Sequence, residues 1–181
     1  MSDVGALDSW MSPQEALSRF KSDEMSLLDL NLPSVDESKI RYGFRYENIG
    51  FIIGKGVLSE VINDYVVYPM PNCSDWLTGL ANVRGNLVPV YDLRKLFQLE
   101  VAESFYKHLL VIDQGSDSVG VLIEDLPQSL ETIDWKPSSY RPKLAVNISE
   151  YIKASYLIDA VAWIDFDHAE FFKSIKDSVA V

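Results

Sequence analysis

The sequence predicts a mainly β fold, with two small five-stranded barrels packed on a shared core between a helical N-terminal extension and a C-terminal helix. Three observations carry that prediction. Short apolar segments broken by Gly, Pro, Asn and Asp run from Ile40 to Ile164, the texture of barrels or a sandwich. Landmarks in the first half of that stretch return in the same order in the second. Helix-capping sequences stand out near the two ends, at Ser12 and at Asp167.

Residues 1–39 stand apart from the rest. Eight carboxylates there face only Arg19, Lys21 and Lys39, a local net charge of −5. Ser12 is placed as an N-cap, Pro13 at the first helical position where its missing N–H costs nothing, and Glu15 to close a capping box. Leu17, Phe20, Leu27 and Leu28 extend an apolar stripe, interrupted by Lys21 and Glu24 and ended by Asn31-Leu32-Pro33-Ser34. Such a segment either rests on its own domain or docks a partner.

The strands come next along the chain. Ile40 to Tyr46 alternates, Glu47-Asn48 turns, and Ile49 to Ile53 is a short apolar run. Gly54-Lys55-Gly56 is a hairpin turn or bulge and not a phosphate loop. Val57 to Val67 is a strand broken near Asn63-Asp64, and Pro69 and Pro71 punctuate the segment after it. Asn72 to Thr78 reads as one helical turn capped by Asn72 or Ser74. Leu80 to Val83 and Leu87 to Asp92 are strands joined by a tight Arg84-Gly85-Asn86 turn, with Gly85 or Asn86 at positive φ. Pro89 places the second of these at an edge or a barrel rim. Leu93 to Leu99 is a helical turn. Lys107 to Ile112, Val119 to Ile123 and Leu130 to Ile133 resume the strands, and residues 134–143, with Pro137 and Pro142, form a loop. Tyr151 to Ile158 and Ala160 to Ile164 complete the β part, and a capping box at Asp167 opens a helix over 168–178.

The repeat is weak in identity and consistent in order. Ile49-Gly50-Phe51-Ile52-Ile53 matches Val119-Gly120-Val121-Leu122-Ile123 at an offset of 70 residues. Glu60-Val61-Ile62 matches Glu131-Thr132-Ile133 at 71, Trp76-Leu77 matches Tyr151-Ile152 at 75, and Tyr91-Asp92-Leu93 matches Ile164-Asp165-Phe166 at 73. Two copies of one unit of about five short strands can each curl into a small barrel.

Composition narrows the function. The net charge of −11 over 181 residues argues against a nucleic-acid or anionic-membrane surface. A single cysteine, Cys73, leaves no internal disulfide and no cysteine zinc cluster. The start of the chain has no basic and apolar signal pattern, and no apolar run reaches membrane-spanning length, so a cytoplasmic protein is expected. His108 and His168 lack a metal-ligand or base pattern, and no pair of carboxylates can be assigned acid and base roles. No catalytic, cofactor-binding or metal residue is expected. What remains is the dense segment from Tyr68 to Arg94, in which Gly79 permits a close backbone approach and Arg84 projects from a hairpin end. An arginine there is either paired with a carboxylate or offered to a partner.

That segment, Leu77-x-Gly-Leu-x-Asn-Val-Arg-Gly-Asn-Leu-Val-Pro-Val-Tyr-Asp-Leu-Arg, resembles the signature of the CheW-like chemotaxis coupling proteins. Gly79, Asn82, Arg84, Gly85, Pro89, Asp92, Leu93 and Arg94 carry the match. Leu58 to Ile62 and Val119 to Ile123 resemble two flanking strands of the family. The resemblance implies SH3-like barrels over residues 40–178, the first about 40–100 plus return elements and the second about 105–166. It implies a non-catalytic adaptor with no cofactor, joining a methyl-accepting chemoreceptor tip to the regulatory barrel domain of a CheA-type histidine kinase at polar receptor arrays. Glu60 and Arg84 would pair beside a receptor groove, with Asn82 and Gly85. The kinase would dock around Val57, Leu58, Val61, Gly79 and Leu80. Trp76-Leu77-x-Gly-Leu, Asn86 to Val90 and the acidic extension are similar to the PilI-type scaffolds of pilus-dependent twitching systems. The alternative is another binding module on the same two-barrel fold, such as a flagellar coupling protein or a regulatory inhibitor domain. Ala154 and the stretch 134–149 depart from the family pattern.

Overall fold

The computed structural model describes residues 12–15, 40–99, 106–132, 134–142, 144 and 148–179. The chain divides into two units, Met1–Asp36 and Glu37–Val181. In the first, residues 13–15 are helical and the predicted capping box is formed. The Ser12 amide and hydroxyl donate to Glu15 Oε2 at 3.1 and 3.0 Å, and the Glu15 amide donates back to Ser12 Oγ at 3.3 Å. These bonds hold the Glu15 carboxyl below its ordinary pKa. The stripe Leu17, Phe20, Leu27 and Leu28 lies outside the described residues.

The second unit contains, among the described residues, eleven strands and two α-helices. They are β1 (Ile40–Tyr46), β2 (Ile49–Ile52), β3 (Ser59–Ile62), β4 (Val67–Tyr68), β5 (Leu77–Val83), β6 (Asn86–Tyr91), α1 (Leu93–Phe97), β7 (His108–Ile112), β8 (Val119–Ile123), β9 (Gln128–Glu131), β10 (Ile152–Ile158), β11 (Val161–Phe166) and α2 (His168–Val179). None of the described helices is long and apolar enough to cross a membrane.

The strands form a sheet in the order β10-β11-β2-β1-β9 and another in the order β3-β7-β8-β6-β5-β4. Both curl shut by one device. In the six-stranded sheet β3 pairs with β7 at one end while its chain successor β4 pairs with β5 at the other, so residues 59–68 close the ring. In the five-stranded sheet β9 pairs with β1, and the chain then runs to Ser138, whose amide donates to Ser155 O of β10 at 2.7 Å. Closure removes exposed edges.

Each sheet draws on both halves of the chain. β1 and β2 sit with β10 and β11 through a parallel β2–β11 pair, and β7 and β8 sit with β5 and β6 through a parallel β6–β8 pair. A division near residue 100 therefore does not separate the sheets. Between them lies the main core, in which Phe51, fully buried, stacks on Phe44 and Phe97 at centroid distances of 5.6 and 5.5 Å and meets Phe166 edge-on at 5.6 Å. Each barrel also has its own small core. One contains Val83, Val88, Leu109 and Leu122. The other is built on Trp163, which lies against Gly50 so closely that a Cβ there would come within 2.3 Å of the indole.

The repeat is more regular than the sequence suggests. From Ser74 to Phe97 the structure repeats at Ser149 to Phe172 with a constant offset of 75. Leu77 N–H donates to Ser74 O, and Ile152 N–H to Ser149 O. Register slips between Leu77 and Gly79 recur between Ile152 and Ala154. The Asp92 amide donates to Trp76 O and the Asp167 amide to Tyr151 O, both at 2.8 Å. Asp92 and Asp167 are then the equivalent N-caps, accepting from the amides of Lys95 and Glu170. The expected alignment of Asp92 with Asp165 is thus two residues off. Glu60 is not the counterpart of Glu131 either. Ile62 lies opposite Leu109 whereas Gln128 lies opposite Gly43, and Gly43 and Leu109 themselves pair with the equivalent Ile52 and Leu122.

Three local expectations are corrected. Asn72 to Thr78 forms turns and not a helical turn. Asn72 has φ of +59°, and β5 already begins at Leu77, where Trp76 stacks on Tyr91. Pro89 lies in an inner strand, opposite Leu80, just before the pairing of β6 with β8 begins at Val90, so its missing N–H removes no ladder bond there. Gly54-Lys55-Gly56 is a turn, as expected, but it joins strands of different sheets and is no hairpin.

Candidate functional site

The β5–β6 hairpin places Arg84 at its tip. A two-residue connection between twisted strands favours a turn with positive φ at both central residues. Arg84 at +50° and Gly85 at +87° adopt it, whereas the sequence pointed to Gly85 or Asn86. Left-handed backbone costs a non-glycine residue about 1 kcal/mol, and Asn82 offsets part of this by accepting the Gly85 amide on its side-chain oxygen at 2.9 Å.

The Arg84 guanidinium reaches across the mouth of the barrel and donates to Glu60 Oε2 of β3. The expected ion pair is therefore formed. Arg84 is 79% exposed and Glu60 33%, so the pair contributes only about 0–1 kcal/mol and leaves most of the cation in solvent. Two adjoining hollows, of about 200 and 210 Å³, flank it. Both are lined by Glu60, Arg84, Asp113 and Gln114, with Leu58 at one side. Asp113 comes directly after β7 at φ of +66°, and its amide donates to Leu58 O at 2.9 Å, tying this corner to the start of β3. On its other side Asp113 lines a larger cleft of about 530 Å³ with His168, Phe172 and Lys176 of α2. Its Oδ2 lies 2.8 Å from His168 Nε2.

The residues expected at a receptor groove are thus brought together, with Asn82, Arg84 and Gly85 in one turn and Glu60 reaching it. Those expected at a kinase face share this barrel but are spread around it. Leu58 is 59% exposed at the β3 edge, while Val57 and Val61 are half-buried against the main core. Gly79 is buried at φ of +151°, where a Cβ would come within 2.1 Å of Tyr68 O, and Leu80 pairs with Tyr68 under β4.

Asp92, the N-cap of α1, and Arg94 belong to a buried polar cluster. Asp92 Oδ1 accepts from the Tyr106 hydroxyl at 2.6 Å. Arg94, 4% exposed, pairs with Glu124 at 2.6 Å and lies over the rings of Tyr46 and Tyr106. The Tyr46 hydroxyl donates to Leu122 O at 2.6 Å, which links β1 of one sheet to β8 of the other, and burial raises its pKa well above the usual phenol value. Cys73 Sγ lies near the carbonyls of Met70 and Leu77, in a corner with no helix.

Asp113 and His168 were not singled out as a pair by the sequence. They lie 55 positions apart in unrelated elements, and in the repeat His168 corresponds to the apolar Leu93, so neither spacing nor symmetry announces them. The hairpin equivalent to Arg84-Gly85 is Asp159-Ala160, at φ of +47° and +64°. One of two equivalent tips is cationic and the other acidic, which confines the Arg84 chemistry to one barrel. Among the described residues no group of three or more His, Cys, Asp or Glu side chains could hold a metal ion. The arrangement is suited to recognising a polypeptide: an exposed guanidinium and carboxylate beside the apolar Leu58 and Leu87, which are 59% and 68% exposed.

Known proteins resemble this chain in sequence and in fold. The CheW-like domain family matches residues 43–176. Protein PilI of Pseudomonas aeruginosa is 27% identical over 85 residues, covering 46% of this chain and 48% of that protein. Chemotaxis protein CheW of Rhizobium meliloti is 22% identical over 102 residues, covering 56% of this chain and 66% of that protein. The chain thus spans between about half and two thirds of these relatives. The crystal structure of the scaffolding protein TtCheW from Thermoanaerobacter tengcongensis superposes with a TM-score of 0.58 at 16% identity, covering 72% of this chain and 84% of that one. The fold is shared with that scaffold.

Proposed function

Since the chain belongs to the CheW-like domain family, whose members are non-catalytic scaffolds coupling chemoreceptors to CheA-type kinases, we propose that it is the adaptor of one such array and that the array controls twitching motility by type IV pili. The observation that carries the adaptor reading is the Glu60–Arg84 pair at an open hairpin tip. It presents charge to a partner while contributing little to stability. In this reading a methyl-accepting receptor tip contacts Glu60, Asn82, Arg84 and Gly85. The regulatory barrel domain of the kinase docks on the same barrel around Val57, Leu58, Val61, Gly79 and Leu80. The protein performs no chemistry of its own and takes no cofactor. It is cytoplasmic and is recruited to receptor arrays at the cell pole. The similarity to PilI supports pilus output, and that to a chemotaxis CheW supports flagellar output as the alternative.

The test is affinity capture of the tagged chain from its source cells, with mass spectrometry as the readout. The proposal expects a CheA-type kinase and a methyl-accepting receptor, the kinase being the one that serves the pilus system. Recovery of a flagellar kinase overturns the pilus assignment, and recovery of neither partner overturns the adaptor reading. Arg84→Glu should keep the fold, judged by circular dichroism, and lose the receptor while retaining the kinase.

A further inference from the structure

Two carboxylates line the hollows beside Arg84, and it pairs with one. Glu60 and Asp113 both line the hollows at its side, yet the guanidinium goes to Glu60, while Asp113 Oδ2 is held 2.8 Å from His168 Nε2. His168 is firmly seated. Its side chain is 11% exposed, its ring stands edge-on to Phe166 at 6.5 Å, and the Gly54 backbone closes over it, so that a Cβ on Gly54 would lie 3.6 Å from Cε1. Asp113 is looser, at 29% exposed. Released from the imidazole, its carboxylate borders the space that Arg84 occupies.

We infer that His168 is a positioning residue for the Arg84 site: by holding Asp113 it keeps a second carboxylate from competing with Glu60 and leaves the guanidinium open to a partner. An arginine shared between two carboxylates of its own chain is less available to an acidic group on another. The backbone reinforces the link, because the Asp113 amide bonds Leu58 O two residues before Glu60. The C-terminal helix α2 therefore sets the charge geometry of the site through its first residue. The inference rests on the reading of Arg84 as partner-facing.

The test compares His168→Ala, His168→Gln, Asp113→Asn and the double variant His168→Ala/Asp113→Asn. Two readouts are used: the NMR resonances of the Arg84 guanidinium and Glu60 carboxylate in the free chain, and the affinity for a chemoreceptor cytoplasmic fragment from the same genome. His168→Ala should move both resonances and weaken the fragment about fivefold, the size of coupling usual for neighbouring charges. His168→Gln, whose amide can still donate to Asp113, should stay within about twofold of wild type. The double variant should recover the affinity, since the competing charge is gone. A double variant as weak as His168→Ala overturns the inference and makes His168 a packing residue, as do unmoved Arg84 and Glu60 resonances in His168→Ala. Arg84→Glu separates the two proposals: if it binds the receptor fragment as well as wild type, the partner reading of Arg84 fails, whatever the resonances show.

Discussion

Single residues here divide into those that hold the fold and those offered outward, and exposure tells them apart. Arg84→Ala should lower stability by less than about 1 kcal/mol in urea unfolding, because its pair with Glu60 is largely solvated. Arg94→Ala should cost about 3 kcal/mol in the same assay, because it empties a buried ion pair and uncovers two tyrosine rings. The sequence placed both arginines in one motif and singled out Arg84 as the outward one, but it could not show that Arg94 is buried. Arg94 owes its burial to Tyr46, Tyr106 and Glu124, which come from three distant segments. The buried phenols set a further expectation. Burial pushes Tyr91 up to about 12 and Tyr46 upward as well, so their neutral forms belong to the folded state. In the unfolded chain a tyrosine ionises near 10. The stabilising effect of Tyr91 is thus complete below pH 10 and is lost as pH rises from there through about 12, and that of Tyr46 likewise declines only above pH 10. Tyr91→Phe should flatten that alkaline decline in thermal melts while leaving stability at pH 7 within about 1 kcal/mol.

At the scale of elements, the two equivalent hairpins solve one closure problem with different side chains. Beside β5 the chain returns as β4, so near that only Gly79 fits beneath Tyr68 O. Gly79→Ala should destabilise by about 2–4 kcal/mol, measured by denaturant unfolding, since both the backbone angle and the contact forbid a methyl. Beside β10 the chain returns as an irregular loop, and Ala154 takes the glycine's place. Here Ser155, 1% exposed, is the latch. Its hydroxyl lies 2.6 Å from Tyr140 O and accepts from Arg141 at 2.7 Å, while its carbonyl takes the Ser138 amide. Ser155→Ala should speed hydrogen exchange at Ser138 without loosening β5. The departure of Ala154 and the 134–149 stretch from the family pattern was visible in the sequence. That Ala154 and Ser138, Tyr140 and Arg141 belong to one closing device was not, because closure is a property of pairing and not of composition. Strands such as β1 and β8 were legible to the residue because alternation and unbroken apolar runs are local. The supposed helical turn over Asn72 to Thr78 failed because Asn and Ser serve turns as readily as helix caps.

For the whole molecule, the internal repeat was the most informative signal and also the most incomplete. It announced two barrels correctly. Offsets read from side-chain likeness drifted between 70 and 75, whereas the backbone holds 75 throughout the second part of each unit, because caps and turn angles persist where side chains diverge. It could not show that each barrel exchanges strands with the other copy. That exchange buries one aromatic core between the sheets, and Phe51→Ala should cost about 3–5 kcal/mol and loosen both barrels together in hydrogen exchange. The joined pair of barrels carries, among the described residues, the cationic tip at Arg84 on one barrel and the acidic tip at Asp159 on the other. If the chain couples two partners at once, sedimentation of the purified protein with the regulatory domain of a CheA-type kinase and a chemoreceptor cytoplasmic fragment from the same genome should show one ternary species, reduced by Arg84→Glu to the binary complex with the kinase. Failure of the chain to join either partner at tens of micromolar, or loss of both partners together in Arg84→Glu while the fold survives, would overturn the adaptor proposal.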